Sequence, residues 1–224
     1  MKRNLARSLS TALTLILLQA GSALASDNPA MDQELVRLEH EWARIVYQVA
    51  DSGDKSDQIE ALAVEAKAVV QRYPGRAEPL IWDGIITSEE AAQAGMFSAL
   101  GYAEDARDLF LAAQRIDPNA LKGAIPMSLG TLYYRVPGSP IGFGDNDKAR
   151  AYLEQALSMD PDGLDANYFY GDFLMEQDEY AKARQVLSHG LEAPFSPDRP
   201  VWDAGRRTEI RKLLAKADKE LASN

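Results

Sequence analysis

Gly171 and Gly205 stand 34 residues apart, and Ala183 follows Gly171 by 12. A period of that length is too short to bury a core of its own, so successive copies have to stack. Ala106, Phe110, Ala113 and Pro118 lie at offsets 0, 4, 7 and 12. Ala149, Leu153, Ala156 and Pro161 repeat those offsets, and Ala183, Leu187 and Gly190 match the first three, with Pro194 one residue early. Offsets of 4 and 7 keep side chains on one helical face. The small residues allow two helices to approach closely, with larger neighbours filling the gaps.

The spacing loosens toward the N-terminus. Gly130 precedes Ala149 by 19 residues and Gly84 precedes Ala106 by 22, so seven and ten residues are inserted. Counting back 34 from the Gly84 repeat puts Ala50 in the small slot and Pro74 in the proline slot, a degenerate first hairpin. Strand-like alternation is nearly absent. The pattern predicts helices at about 31–50, 57–73, 77–93, 97–116, 121–135, 146–159, 164–177, 180–192 and 201–221. The last turns polar at Lys216-Ala217-Asp218-Lys219-Glu220, as a solubilising cap does.

These residues resemble the tetratricopeptide (TPR) family over roughly residues 43–210. The resemblance implies an all-α, right-handed solenoid of TPR-like helical hairpins with a C-terminal capping helix. It also implies a concave groove read from the first helix of each repeat. Position 5 is Ile81, Met127, Tyr168 and Trp202; position 9 is Ile85, Thr131, Asp172 and Arg206; position 12 is Ser88, Tyr134, Met175 and Glu209. Such a groove is apolar and aromatic, with an ion pair expected between Asp172 and Arg206 and with Tyr168 and Trp202 beside it. The Lys and Asn clamp by which some members hold a peptide carboxylate is missing.

Residues 1–25 read as an export signal. Lys2, Arg3 and Arg7 precede a largely apolar run from Leu9 to Leu18, and Ala23-Leu24-Ala25 is a small-x-small cleavage site. Cleavage after Ala25 leaves one domain, 26–224, in the periplasm or secreted. It also shifts the net charge from −10 to −13, because three cations and no acid are lost. That acidity argues against nucleic acid and anionic membrane surfaces. With zero cysteines, no disulfide and no lipid anchor at the cleavage point are expected.

No catalytic constellation, cofactor site or metal site is expected. His40 and His189, the only histidines, have no metal partner at i+4. Asp160-Pro-Asp162-Gly163-Leu-Asp165 resembles a calcium loop in composition, but it falls at a repeat junction, where Asp165 can cap the next helix. The insert from Arg135 to Gly144, rich in proline and glycine, has a fixed shape that carries Ile141 and Phe143 at a rigid tip, and it reads equally as a contact for a partner or ligand and as a loop that packs on its own scaffold.

The run from Tyr133 through this insert to Asp145, followed by Lys148-Ala149-Arg150 and Asn167-Tyr168-Phe169-Tyr170-Gly171-Asp172, is similar to the T-component family of TRAP transporters. That similarity implies a periplasmic protein associated with a solute-binding subunit and holding a hydrophobic ligand. The family's lipobox cysteine is missing. The sequence therefore reads first as a non-enzymatic periplasmic module that binds a protein partner or a small apolar ligand through its aromatic groove. Its second reading is a soluble accessory subunit of a TRAP-type solute transport system, with a periplasmic solute-binding protein as partner.

Overall fold

The computed structural model describes residues 27–50 and 53–223. The expected export segment, residues 1–25, lies outside the described residues. Within them the chain forms nine α-helices and no strand: α1 (Pro29–Gln48), α2 (Gly53–Arg72), α3 (Ala77–Gln93), α4 (Met96–Ile116), α5 (Ala124–Arg135), α6 (Asn146–Met159), α7 (Leu164–Glu176), α8 (Tyr180–Gly190) and α9 (Pro200–Ser223). No described helix is long and apolar enough to cross a membrane.

Local chemistry sets the helix ends. Asn28 accepts from the Met31 backbone N–H at 3.2 Å, with Pro29 in the first turn, and so starts α1. Asp145 caps α6 by accepting from the backbones of Asp147 and Lys148, each at 3.1 Å. α5 begins three residues later than the pattern suggests. Leu121, Lys122 and Gly123 have φ of 51°, 45° and 85°, and this left-handed run cannot continue a right-handed helix. α1 ends at Gln48, so Ala50 lies beyond the helix and is exposed. Counting back by 34 fails there, and Ala43 is the small residue that α1 buries.

Three hairpins, α3/α4, α5/α6 and α7/α8, share one crossing. A Cβ on Gly84 would lie 2.7 Å from Phe110, one on Gly130 2.7 Å from Leu153, and one on Gly171 2.5 Å from Leu187. Each partner is the residue four past the small residue of the second helix, so the offsets in the sequence are contacts in the fold. The two insertions resolve differently. The ten-residue one is helical, extending α3 and α4 to 17 and 21 residues. The seven-residue one is the loop between α5 and α6.

The first helices of successive hairpins touch in order, α3 to α5 to α7 to α9, and α1 touches both α3 and α9. Among the described residues no second helix follows α9 to fill the space beside Gly205. Tyr47 of α1 fills it, 2.4 Å from where a Cβ would stand. Arg199, just before α9, reaches the buried Glu39 of α1 at 2.8 Å, and His40 bonds the Asp198 carbonyl at 2.8 Å. α1 thus bridges the two ends of the arc of inner helices. The apolar interior falls into two clusters: α3, α4 and α5 supply one, around Phe110 and Leu129, and α1, α2 and the C-terminal helices join in the other, around Leu38 and Phe173.

A candidate interaction face on the inner helices

α5, α7 and α9 bring an aromatic and charged set together. The Tyr134 hydroxyl donates to Asp172 Oδ2 at 2.5 Å, and Arg135 donates to the same oxygen. The second Arg135 nitrogen lies 3.7 Å from Glu176. The Asp172 side chain is buried, and these donors supply what a carboxylate loses on leaving water. Arg206 is equally buried. It donates to Asp165 at 2.6 Å and to Glu209 at 2.8 Å, with its guanidinium 4.1 Å from the Tyr168 ring centre and 4.7 Å from that of Phe169.

The expected Asp172–Arg206 bond is therefore replaced by two separate networks. With Gly205 seated on Tyr47, Arg206 reaches toward the N-terminal end of α7 and takes Asp165 instead. Asp165 consequently does not cap α7, whose N-cap is Gly163 with no side-chain bond. Nor does Trp202 lie against Tyr168: it is buried with the Arg199 guanidinium 3.8 Å above its ring, while Tyr168 meets Phe169 edge-on at 4.9 Å.

The other residues read into the groove divide by burial. Ile81, Met175 and Trp202 are packed in the apolar clusters. Ile85 is half-buried between the two clusters, and Met127 is half-buried on α5. The Thr131 hydroxyl donates back to the Met127 carbonyl at 2.9 Å. The face is more polar than an apolar groove, and its character comes from Tyr134, Tyr168 and the ion pairs.

α1 and α3 add groups that the repeat reading passed over. Tyr47 donates to Glu209 at 3.1 Å, and the Trp42 indole N–H donates to Glu89 at 3.3 Å. Trp42 also meets Trp82 and Tyr47 edge-on at 6.0 and 6.1 Å. A signal for Tyr47 was available. Gly205 occupies the crossing position on a helix that no second helix follows among the described residues, so another part of the chain had to cover it. Arg135 and Asp165 gave no comparable signal, since each lies outside positions 5, 9 and 12.

The electrostatics follow from burial. Desolvation, and then the Asp172 carboxylate, push the Tyr134 hydroxyl well above its ordinary value. Desolvation pushes Tyr168 up to about 12, against the pull of Arg206. Glu89 is raised by desolvation, with the Trp42 bond and the Arg206 charge opposing. Burial disfavours the Arg206 charge, but Asp165, Tyr47 and Glu209 outweigh it and hold the guanidinium firmly protonated. Near neutral pH the face presents fixed cations and neutral phenols. Such a surface can hold a ligand by charge, stacking and hydrogen bonds.

In the insert loop, Ile141 is 70% exposed, but Phe143 is not at a free tip. It packs on the α3–α5 cluster, edge-on to Tyr133 at 5.6 Å and with the Arg107 guanidinium 4.4 Å above it. The loop is tight enough that a Cβ on Gly142 would come 2.7 Å from the Pro137 carbonyl oxygen, and one on Gly144 would overlap that of Val136. Phe143 thus ties the loop to α4 and α5, and Ile141 alone of the pair faces outward. His189 sits between Asp162 at 2.9 Å and Glu192 at 3.3 Å. Among the described residues no group of three or more His, Cys, Asp or Glu side chains is placed to hold a metal ion.

Residues 141–204 match the family model described as tetratricopeptide repeat, the region where the 34-residue period is most regular. Among solved structures, a thermophilic TPR protein of Thermus thermophilus superposes with a TM-score of 0.56 at 20% identity, over 72% of this chain and 73% of its own. MamA superposes with a TM-score of 0.42 at 17% identity, over 75% of this chain and 91% of its own. No curated protein sequence matches the chain. The fold is a TPR-like helical repeat, an architecture of protein-interaction scaffolds.

Proposed function

We propose that this chain is a non-enzymatic interaction module, exported to the periplasm, that holds a partner protein on the face formed by α5, α7 and α9. The observation that carries the reading is the pairing of half-buried Tyr134 and Tyr168 with ion pairs that fix Arg135 and Arg206 beside them. Aromatic and arginine side chains preorganised in this way anchor partners at low entropic cost. The polar lining favours a protein segment over the small apolar ligand that the sequence suggested. Export rests on the charged, apolar and small-residue stretches of residues 1–25.

A second reading, a T-component-like accessory subunit of a solute transporter, is favoured by the insert loop. Its glycines fix the backbone and Ile141 projects from it. Affinity capture from periplasmic extract separates the two. On the first reading, Tyr168→Ala and Arg135→Ala each release the same captured protein, while Ile141→Ser retains it. Release by Ile141→Ser alone would favour the second. Capture unchanged in all three folded variants would refute both. Mass spectrometry of the exported chain should find Ser26 at its N-terminus, and an intact Met1 would contradict export.

A further inference from the structure

A second polar site lies away from the inner face, between α2, α3 and α4. Counted from the crossing glycines of α5 and α7, the residues one before, three after and six after are Leu129, Tyr133, Val136 and Tyr170, Leu174, Gln177, the last of each set being the helix C-cap. Leu129, Tyr170 and Leu174 are buried core residues. In α3 the same three places hold Asp83, Thr87 and Glu90. These are 4%, 2% and 8% exposed, and Asp83 Oδ1, Thr87 Oγ1 and Glu90 Oε2 have no hydrogen-bond partner. Thr87 lies near enough to favour the ionised form of Asp83, but without hydrogen-bond geometry. Buried and unpartnered polar atoms are costly, and Asp83 and Thr87 stand where the sister repeats pack Leu129, Tyr133, Tyr170 and Leu174 on the core.

These three residues line two adjoining hollows. One, of ≈ 390 Å³, has Asp83 and Thr87 on its floor, with Lys67, Asp105 and Asp108 around it. The other, of ≈ 280 Å³, has Glu90 and Glu60. Tyr102 lines both. Five carboxylates thus face the cleft against the single ammonium of Lys67, and Asp108 is shared with Arg107 at 3.1 Å. Asp83 forms no ion pair among the described residues. The carboxylates are strung along the cleft, with no cluster of three placed to hold a metal ion. Asp83 and Glu90 are seven residues apart on one helix, a rise of about 10 Å.

We propose that this cleft binds a linear organic polyamine, one terminal ammonium at Asp83 and Thr87, the other at Glu90 and Glu60, and the connecting methylenes against Tyr102. Charge-assisted hydrogen bonds then satisfy the buried acceptors, and the aromatic ring gives the cation a second favourable surface. Burial first, and Glu90 second, push the Asp83 carboxyl up to about 6, with Lys67 opposing. A bound cation draws that value down, so binding near pH 6 releases a proton.

Titration calorimetry of the full chain with spermidine tests this. The expected result is saturable binding, weakened at least tenfold by Asp83→Asn and several-fold by Glu90→Gln. Proton release near pH 6, read from buffers of different ionisation enthalpy, should be lost in Asp83→Asn. Tyr168→Ala should bind spermidine as the parent does, so this site stands or falls apart from the inner face. If Asp83→Asn fails to fold, Glu90→Gln and the rim variant Asp105→Asn carry the test. Equal affinity in the folded variants would mean diffuse attraction to an acidic protein and would overturn the proposal. So would calcium binding in place of spermidine, or no saturable heat.

Discussion

α3 and α7 hold the same place in two copies of one repeat, and they have the same crossing. Gly84 meets Phe110 and Gly171 meets Leu187, each too closely for a Cβ. Yet the stripe of α7 beside its crossing glycine is Tyr170 and Leu174, buried and apolar, while that of α3 is Asp83 and Thr87, buried and polar. The contact within a hairpin is what the period conserves. The contact between hairpins is free to change, and this chain changes it in its N-terminal half, where the ten-residue insertion lengthens α3 and α4 and where α1 departs from the repeat to meet α9.

The largest expected effect tests the shared half of that comparison. Gly171→Leu places an isobutyl group against Leu187 and should destabilise by ~1–3 kcal/mol or more. That is several times the loss from Gly138→Ala, whose Cβ would meet only the Gly144 carbonyl oxygen at 3.4 Å. Thermal melts of the two variants check it, and equal shifts would break the register.

A smaller effect tests the half that differs. Asp83 has a folded-state pKa of about 6 against an ordinary 3.8. Between those values the folded chain holds the proton more tightly than the unfolded one, so this group makes stability fall as pH rises through about 4 to 6, and the loss levels off above. Lys67, Glu90, Asp105 and Asp108 surround it. Asp83→Asn removes the titration, so the variant should gain on the parent as pH rises across that window and keep the gain at pH 7. Denaturant unfolding at pH 4 and pH 7 measures it, and a difference independent of pH would mean that Asp83 is solvated or paired.

The sequence made much of this legible because close packing leaves a trace in residue size. Gly84, Gly130 and Gly171 could be paired with second-helix positions from their offsets alone, and the pairs are contacts. Ion pairs leave no such trace. Asp172 and Arg206 share a register position, but long side chains choose among several partners within reach, and the seating of α9 on α1 decided the choice. Phe143 looked like a tip residue because its neighbours are glycine and proline. Those glycines in fact let the loop fold back so that the ring reaches Tyr133. The α3 stripe was invisible for another reason. Asp, Thr and Glu on a helix usually face water, and only the packing of α2 and α4 buries them.

The inner face depends on α1 bridging the ends of the arc, since Tyr47 both covers Gly205 and bonds Glu209. A double-mutant cycle across that closure, Glu39→Gln against Arg199→Met, measures it most directly. Glu39 is 2% exposed and accepts from Arg199 at 2.8 Å. Burial raises its pKa even so, with Arg199 opposing. Residues in such contact couple by about 0.5–3 kcal/mol. A coupling in that range is expected from unfolding curves of the four proteins. Strictly additive losses would mean that α1 does not close on α9, and that the arc of inner helices stands open.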